Sequence, residues 1–174
     1  ESGTKILPSS LSVRELKRLN HQKLKDIGKK LKRMADIVIY DSAAGLGEEA
    51  IVAMESADEL IIVTNPEIPA VTDALKTSKV IEEMGKTVRG VIITRVKGTK
   101  YEMPIENVRE MLELPILGIV PEDKNISASM VMKDAIIHTH PRSKAARAYK
   151  QIAAKLVGMN SYKDNGSVWN KMFG

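Results

Sequence analysis

The sequence predicts an α/β fold: a doubly wound, mainly parallel sheet with helices on both faces. Residues 37–40 form a short apolar run without the alternation of a half-exposed strand, as expected for a strand that is buried on both faces. Further strands are predicted at 59–65, 88–96 and 115–120, and segments with helical patterns separate them. Strands that alternate with helices at this spacing are typical of a parallel sheet.

The strand predicted at 37–40 ends in Asp41, and mostly small residues follow it as far as Gly47. Open α/β sheets bind their ligands at the carboxyl ends of strands. A carboxylate there can hold Mg²⁺ through water, and glycines allow backbone N–H groups to approach a phosphate. The pattern has the form of a Walker B strand followed by a switch loop. Because many parallel strands end in an Asp that caps a helix, the motif alone leaves both interpretations open.

A short strand at 3–8 is predicted before this strand, followed by a basic segment that forms one amphipathic helix or two. Ser9, Ser10 and Ser12 offer caps for the helix. Segment 11–34 carries nine Lys and Arg residues against two acidic ones, a charge of +7, whereas the whole chain carries +5. We interpret the charges as a solvated face, with a nucleic-acid or anionic-lipid surface as the alternative.

The elements after Asp41 alternate regularly. Gly85 and Gly158 are C-cap signals, and Pro104 suits the first turn of a helix. The predicted helices are 48–56, 70–84, 104–112, a short helix within 123–137, and 142–158.

The composition excludes several classes of site. The 174 residues include no cysteine, which excludes a disulfide scaffold, a Cys-based zinc site and a thiol nucleophile. Aromatic residues make up 3% of the chain, so we expect the nine methionines, including Met84, Met111, Met130 and Met132, to fill the core. No apolar run approaches the roughly 18 residues of a membrane span. We interpret His138 and His140 as loop residues rather than metal ligands.

Four motifs follow one another in order: 41–46 (DSAAGL), 61–67 (IIVTNPE), 90–96 (GVIITRV) and 118–123 (GIVPED). Together they closely resemble the MinD/ParA family of deviant Walker A ATPases, and the MinD-like proteins of archaea most of all. The resemblance covers roughly residues 3–158. It implies a P-loop NTPase-like fold, ATP or ADP with Mg²⁺ as ligands, and a dimer that forms around ATP and positions cell-division machinery or other cargo.

The resemblance also implies roles for individual residues. Asp41 would hold Mg²⁺ through water, and Gly45 would offer its N–H to the γ-phosphate. Thr94 falls where the family commonly has an Asn that contacts adenine, and Arg95 follows it. A hydroxyl cannot present the paired groups of an amide, so base discrimination is open.

Two loops complete the implied site. Pro121, Glu122 and Asp123 match the loop that packs on the edge of the base, with a Pro turn and helix cap as the alternative. Asn65 begins the Asn-Pro-Glu loop near the family's dimer interface, with a simple turn as the alternative.

The family's phosphate-binding loop is missing from this sequence. No G-x-x-x-x-G-K-[ST] pattern occurs in the 174 residues, which begin with Glu1. We therefore expect a pocket that binds nucleotide but does not hydrolyse ATP well unless an N-terminal segment is restored. Without that segment, apolar strand edges would be exposed. We expect a segment outside this sequence, a partner or a swapped neighbour to cover them.

The carboxyl terminus reads as a polar linker, 159–167, followed by an amphipathic tail, 168–174. On a helix, Val168, Trp169, Met172 and Phe173 share one face. This composition suits a bilayer interface and resembles the membrane-targeting helix of MinD. Docking on the protein's own surface is the alternative.

These observations favour a MinD-like ATPase that binds reversibly to the inner face of the cell membrane, is otherwise cytoplasmic and regulates cell division in space. We expect a nucleotide-dependent homodimer and an activating or division-inhibitor partner protein. The alternatives are a scaffold that does not hydrolyse ATP and a ParA-like DNA partition ATPase that uses helix 11–34.

Overall fold

The computed structural model describes residues 3–8, 21–42 and 45–159. These described residues divide into two compact units, one comprising 3–8 and 21–41, the other 42 and 45–159. In the first unit, helix α1 (His21–Leu31) confirms part of the predicted basic helix, and residues 9–20 lie outside the described residues. Gly28 allows a close approach within this unit, because a Cβ there would lie 2.5 Å from the phenol oxygen of Tyr40.

The second unit contains a three-stranded sheet of order β1-β2-β3 in which both pairs of strands are parallel, as predicted. The strands are β1 (Leu60–Thr64), β2 (Val88–Val96) and β3 (Ile116–Pro121). The helices of this unit are α2 (Glu48–Ser56), α3 (Ile68–Glu83), α4 (Ile105–Leu112), α5 (Lys124–Val131), α6 (Ile136–Thr139) and α7 (Lys144–Leu156).

Helices cover both faces of this sheet. Because successive side chains of a strand alternate between faces, Ile93 and Ile92 of β2 belong to different cores. Ile93 joins a cluster with residues of α3 and α4, and Ile92 packs against a cluster formed by β3, α6 and α7. Gly118 makes the second core possible, because a Cβ on it would collide with Ile152 of α7.

Two predicted strands are wrong. Residues 3–8 and 37–40 adopt no strand, and Ile6 and Ile39 are 84% and 86% exposed. An apolar run indicates a propensity for extended backbone, but a strand also needs a neighbour that pairs with its N–H and C=O groups. The strands of the described residues are β1, β2 and β3.

Other differences concern boundaries and the methionines. Residues 123–137 form two helices rather than one, and Lys133 between them adopts a left-handed conformation with φ of 54°. Met84 and Met111 pack against the core as expected. Met130 and Met132 are 74% and 61% exposed, because they lie at the end of α5 where no described element covers them, so the core interpretation is wrong for these two.

Within the described residues, β1 is paired on one side only. Val63 on this strand is 62% exposed, so one face of β1 is partly uncovered. None of the helices that the structure describes is both long enough and apolar enough to cross a membrane.

Candidate functional site at the carboxyl edge of the sheet

The polar residues that the motifs single out lie where the three strands end. Asn65 follows β1, Thr94 and Arg95 lie near the end of β2, and Glu122 follows β3. Because both strand pairs are parallel, these three ends share one edge of the sheet. This is the edge at which open α/β sheets bind ligands.

A hydrogen bond joins the ends of β1 and β2. The Thr94 hydroxyl lies 2.9 Å from Asn65 Oδ1 and 3.2 Å from the carbonyl oxygen of Thr64. Asn65 and Thr94 are both partly buried. Their side chains therefore form a fixed pair at the edge of the sheet.

Arg95 adopts a left-handed conformation, with φ of 58°. It lies in the register irregularity between Ile93 and Val96, where β2 departs from regular pairing with β3. A non-glycine residue in this region costs on the order of 1 kcal/mol, and such strain is concentrated at functional sites.

At this irregularity of β2, Arg95 pairs with a residue that follows β3. The Arg95 Nε lies 3.6 Å from Glu122 Oε2, and the Glu122 N–H donates to the Val96 carbonyl at 2.9 Å. Because both side chains are well exposed, the ion pair itself adds little to stability. It does connect the ends of β2 and β3.

Glu102 holds the loop after β2. Its carboxylate accepts hydrogen bonds from the backbone N–H groups of Lys97 at 2.8 Å, Gly98 at 2.7 Å and Thr99 at 3.3 Å. These bonds, that of Lys97 foremost, lower the pKa of Glu102. Glu102 is not among the residues predicted from the sequence, although a Gly in a polar loop with a Glu four positions later indicates such a contact.

Asp123 secures the start of two helices. Its Oδ1 accepts from the Asn125 N–H at 3.0 Å and caps α5, and its Oδ2 accepts from the Ala145 N–H at 3.2 Å in the first turn of α7. The bond from Asn125 is the main cause that lowers the pKa of Asp123. The helix-cap interpretation is thus confirmed. Each oxygen of Asp123 accepts one of these bonds, and contacts of Pro121, Glu122 and Asp123 with a base stay a prediction.

The Asn-Pro-Glu loop is anchored in the same unit. Pro66 is fully buried, and its carbonyl accepts from the Met103 N–H at 2.9 Å. Gly45 is exposed with φ of 91°, a conformation that favours glycine, and a Cβ there would meet nothing within 4 Å. Asp41 is exposed and belongs to the first unit. The roles of Gly45 and Asp41 stay predictions.

The remaining candidates from the sequence are the histidines and the tail residues. His138 lies on α6 rather than in a loop, and its Nδ1 is 2.9 Å from Asp134 Oδ1. In the part of the chain that the structure describes, no three His, Asp or Glu side chains are grouped to hold a metal ion. The tail residues Val168, Trp169, Met172 and Phe173 lie outside the described residues.

The chemistry of the edge fits a nucleoside base. Asn65 supplies an amide, Thr94 a hydroxyl, Arg95 a donor-only guanidinium and Glu122 a carboxylate, which are the groups that read the edges of bases. A separate depression of about 390 Å³ is lined by Arg109, Glu110, Glu113, Leu114 and Pro115. It lies beside the start of β3, at the amino end of the strand, and lacks this combination of groups.

A profile of the family described as "4Fe-4S iron sulfur cluster binding proteins, NifH/frxC family" matches residues 14–164. The chain belongs to this family. Because it contains no cysteine, its 174 residues offer no thiolate to an iron–sulfur cluster. The family includes the MinD-type ATPases, so the resemblance drawn from the four motifs is confirmed.

The relatives are ATP-binding and MinD proteins. The chain is 35% identical over 156 residues to an uncharacterized ATP-binding protein of Methanocaldococcus jannaschii, matching 90% of this chain and 59% of the relative. It is 30% identical over 169 residues to the septum site-determining protein MinD of Neisseria meningitidis, matching 89% and 62%. The chain thus spans about three fifths of the length of these relatives.

The solved structures confirm the P-loop NTPase-like fold. MinD from Pyrococcus horikoshii, complexed with Mg-ADP, superposes with a TM-score of 0.77 at 28% identity, covering 92% of this chain and 63% of that one. A ParA family ATPase from Chlorobium tepidum shares the fold with a TM-score of 0.74 at 19% identity, covering 86% and 62%.

Proposed function

We propose that this chain supplies the base-binding side of a MinD-like ATPase that binds ADP and ATP with Mg²⁺. The observation that carries the proposal is the polar row at the carboxyl edge of the sheet: Asn65 bonded to Thr94, and the strained Arg95 paired with Glu122. Nucleotide binding by a structural relative, the Mg-ADP complex of P. horikoshii MinD, supports it.

We assign each residue to a part of the nucleotide according to its chemistry. Asn65, Thr94, Arg95 and Glu122 would contact the base. Asp41 would hold Mg²⁺ through water, and the bound ion would neutralise charge on the phosphates. Gly45, in its glycine-favoured conformation, would let its N–H approach the terminal phosphate.

Hydrolysis needs more than these residues. A phosphate-binding loop supplies backbone donors and a lysine, and its motif does not occur in the 174 residues. We therefore propose ATP turnover only for this chain together with a segment that carries such a loop. A scaffold without turnover would retain the fold and lose nucleotide binding.

Calorimetric titration of the 174-residue chain with Mg-ADP tests nucleotide binding. We expect saturable binding that loses its dependence on Mg²⁺ in Asp41→Ala. The matched control is Asp36→Ala, which removes another exposed carboxylate five residues earlier. Equal magnesium dependence in the two variants would exclude the role of Asp41. Absence of any saturable binding would contradict the proposal that this chain by itself holds the base.

The membrane part of the proposal rests on the tail. Val168, Trp169, Met172 and Phe173 would enter the interface of an anionic bilayer on the cytoplasmic side. A single short helix binds weakly, but two tails brought together in an ATP-dependent homodimer would gain avidity. Attachment controlled by nucleotide would suit a regulator of cell division that acts with a partner protein.

Sedimentation with anionic liposomes tests the tail. Trp169→Glu should abolish co-sedimentation, whereas Asn170→Glu, with the same added charge on the other face of the predicted helix, should preserve most of it. If both variants still sediment, the tail is not the anchor. Salt-sensitive DNA binding that is indifferent to Trp169→Glu would instead support a ParA-like role for the basic segment 11–34.

A further inference from the structure

Helix α7 carries basic side chains and no acidic ones. In the sequence, no Asp or Glu occurs between Asp134 and Asp164, whereas the same stretch contains six Lys and Arg residues. Four of them belong to the helix: Lys144, Arg147, Lys150 and Lys155. Because the whole chain carries a charge of only +5, this concentration of positive charge is local.

Most of the charge of α7 lies on one exposed stripe. We call this set the basic stripe: Lys144, Arg147, Gln151 and Lys155. Its members are three or four positions apart, so they share one face of the helix, and all four are exposed. On the other side of the helix, Ala145 and Ile152 pack into the core with residues of β3 and α6. Lys150 is 8% exposed and does not belong to the stripe.

Neighbouring carboxylates do not neutralise the basic stripe. The ion pairs that the structure describes all involve other side chains. Asp123, the carboxylate at the start of α7, accepts from backbone N–H groups. The Lys155 ammonium lies 3.4 Å from the carbonyl oxygens of Ile116 and Leu117, which are uncharged. The stripe therefore presents three positive charges to the solvent.

We infer that the basic stripe is a second membrane contact, which binds the headgroups of anionic lipids. The inference rests on the proposed attachment through the tail. It adds to that proposal a site on the folded unit and a selectivity for anionic lipid.

The tail needs such a second contact. A short amphipathic anchor binds weakly, and stable attachment commonly takes two signals, of which a polybasic patch is one. Val168 follows Gly158, just after α7, by ten residues, so the chain allows the two to be at most roughly 35 Å apart. A bilayer that holds the tail is therefore within reach of α7. Each Lys or Arg near an anionic surface strengthens binding about fivefold.

A nucleic acid is the competing polyanion, and the basic stripe suits it less. The stripe is about 17 Å long, because it spans eleven residue steps of helix. Its three cations would neutralise few phosphates, and none of its four residues is an aromatic on which a base could stack. These features favour a lipid surface.

Titration of the 174-residue chain with vesicles tests the inference, with bound protein measured by sedimentation. One set of vesicles is phosphatidylcholine alone, and the other contains phosphatidylcholine and phosphatidylglycerol in equal parts. The double variant Lys144→Gln with Arg147→Gln should bind the anionic vesicles about 25-fold more weakly than the wild type and the neutral vesicles equally well. The difference should vanish when salt is raised from about 0.1 M to about 1 M, because the screening length falls from about 10 Å to about 3 Å.

Two further variants separate the stripe from other effects of charge. Lys76→Gln with Lys79→Gln removes the same net charge from α3, on the other face of the sheet, and should bind anionic vesicles as the wild type does. Lys144→Arg with Arg147→Lys keeps the charge of the stripe and should also behave as the wild type. All of these positions are exposed, so the variants should unfold at nearly the same temperature as the wild type.

Several results would overturn the inference. Equal losses in the two Gln double variants would mean that net charge acts rather than the stripe. A stripe variant that binds DNA more weakly and anionic vesicles normally would assign the stripe to nucleic acid. If Trp169→Glu abolishes vesicle binding and the stripe variant does not change it, the inference fails and the proposed attachment stands. A wild type that binds neither kind of vesicle would overturn the proposed attachment together with the inference.

Discussion

Replacing Asp123 tests whether this residue serves as a double helix cap. In Asp123→Ala, the Asn125 N–H loses its cap and the Ala145 N–H loses its acceptor. Loss of an N-cap costs about 1 kcal/mol, and loss of a hydrogen bond to a charged group costs about as much again or more. We therefore expect a loss of about 2 kcal/mol, which for a chain of this size lowers the melting temperature by about 4–8 °C.

The assay is urea unfolding followed by circular dichroism. Glu110→Ala is the control, because Glu110 is an exposed helical carboxylate and its loss should change stability by less than about 0.5 kcal/mol. Asp123→Asn keeps one acceptor oxygen, so its free energy of unfolding should lie between those of the wild type and Asp123→Ala. If Asp123→Ala and Glu110→Ala unfold at the same urea concentration, the double-cap interpretation is wrong.

The dependence on pH gives a second check on Asp123. Hydrogen bonds to the carboxylate, that of the Asn125 N–H foremost, lower its pKa in the folded state. The stabilisation is therefore present above the unfolded-state pKa of about 3.9 and is lost as the pH falls through the lower folded-state pKa. The difference in the free energy of unfolding between wild type and Asp123→Ala should be largest at neutral pH and should shrink below about pH 4. A gap that widens in acid would contradict this assignment.

Three further predictions concern packing and the loop after β2. Gly118→Ala should destabilise the protein by about 1–3 kcal/mol, because the added methyl group would collide with Ile152. In a double-mutant cycle, Ile152→Ala should then lower the free energy of unfolding less in the Gly118→Ala background than in the wild type. Additive costs would contradict the close contact. Arg95→Gly should relieve the strain of the left-handed conformation and raise the free energy of unfolding by about 0.5 kcal/mol, while weakening Mg-ADP binding. A lower free energy of unfolding in this variant would argue against strain. Glu102→Gln should speed hydrogen exchange at the three amides that its carboxylate now accepts from, and unchanged exchange would refute that role.

The strands of the second unit could be predicted from the sequence, because each combines a short apolar run with turn residues at both ends. β2 matches its predicted bounds, and α2 matches the predicted helix 48–56. The same reasoning failed for residues 37–40. Their composition favours extended backbone, but pairing depends on a neighbour that composition does not specify, and Ile39 is 86% exposed.

The contacts between the residues of the candidate site could not be predicted from the sequence. Asn65, Thr94 and Glu122 each stand in a recognisable motif. The bond between Thr94 and Asn65 spans 29 residues of chain and depends on the register of β1 with β2, which periodicity does not supply. Asp123 illustrates the same limit. A cap for the next helix is a local pattern, whereas its bond to Ala145, 22 residues away, requires the packing of α7.

The central claim is that nucleotide binds at the carboxyl edge of the sheet. The most direct measurement is a titration of the isotope-labelled 174-residue chain with Mg-ADP, followed by amide resonances in NMR spectra. We expect shifts that saturate together at residues 64, 65, 67, 94–99, 122 and 123, including the side-chain amide of Asn65. Saturating shifts confined to residues 109–114, around the depression at the amino end of β3, would contradict the claim.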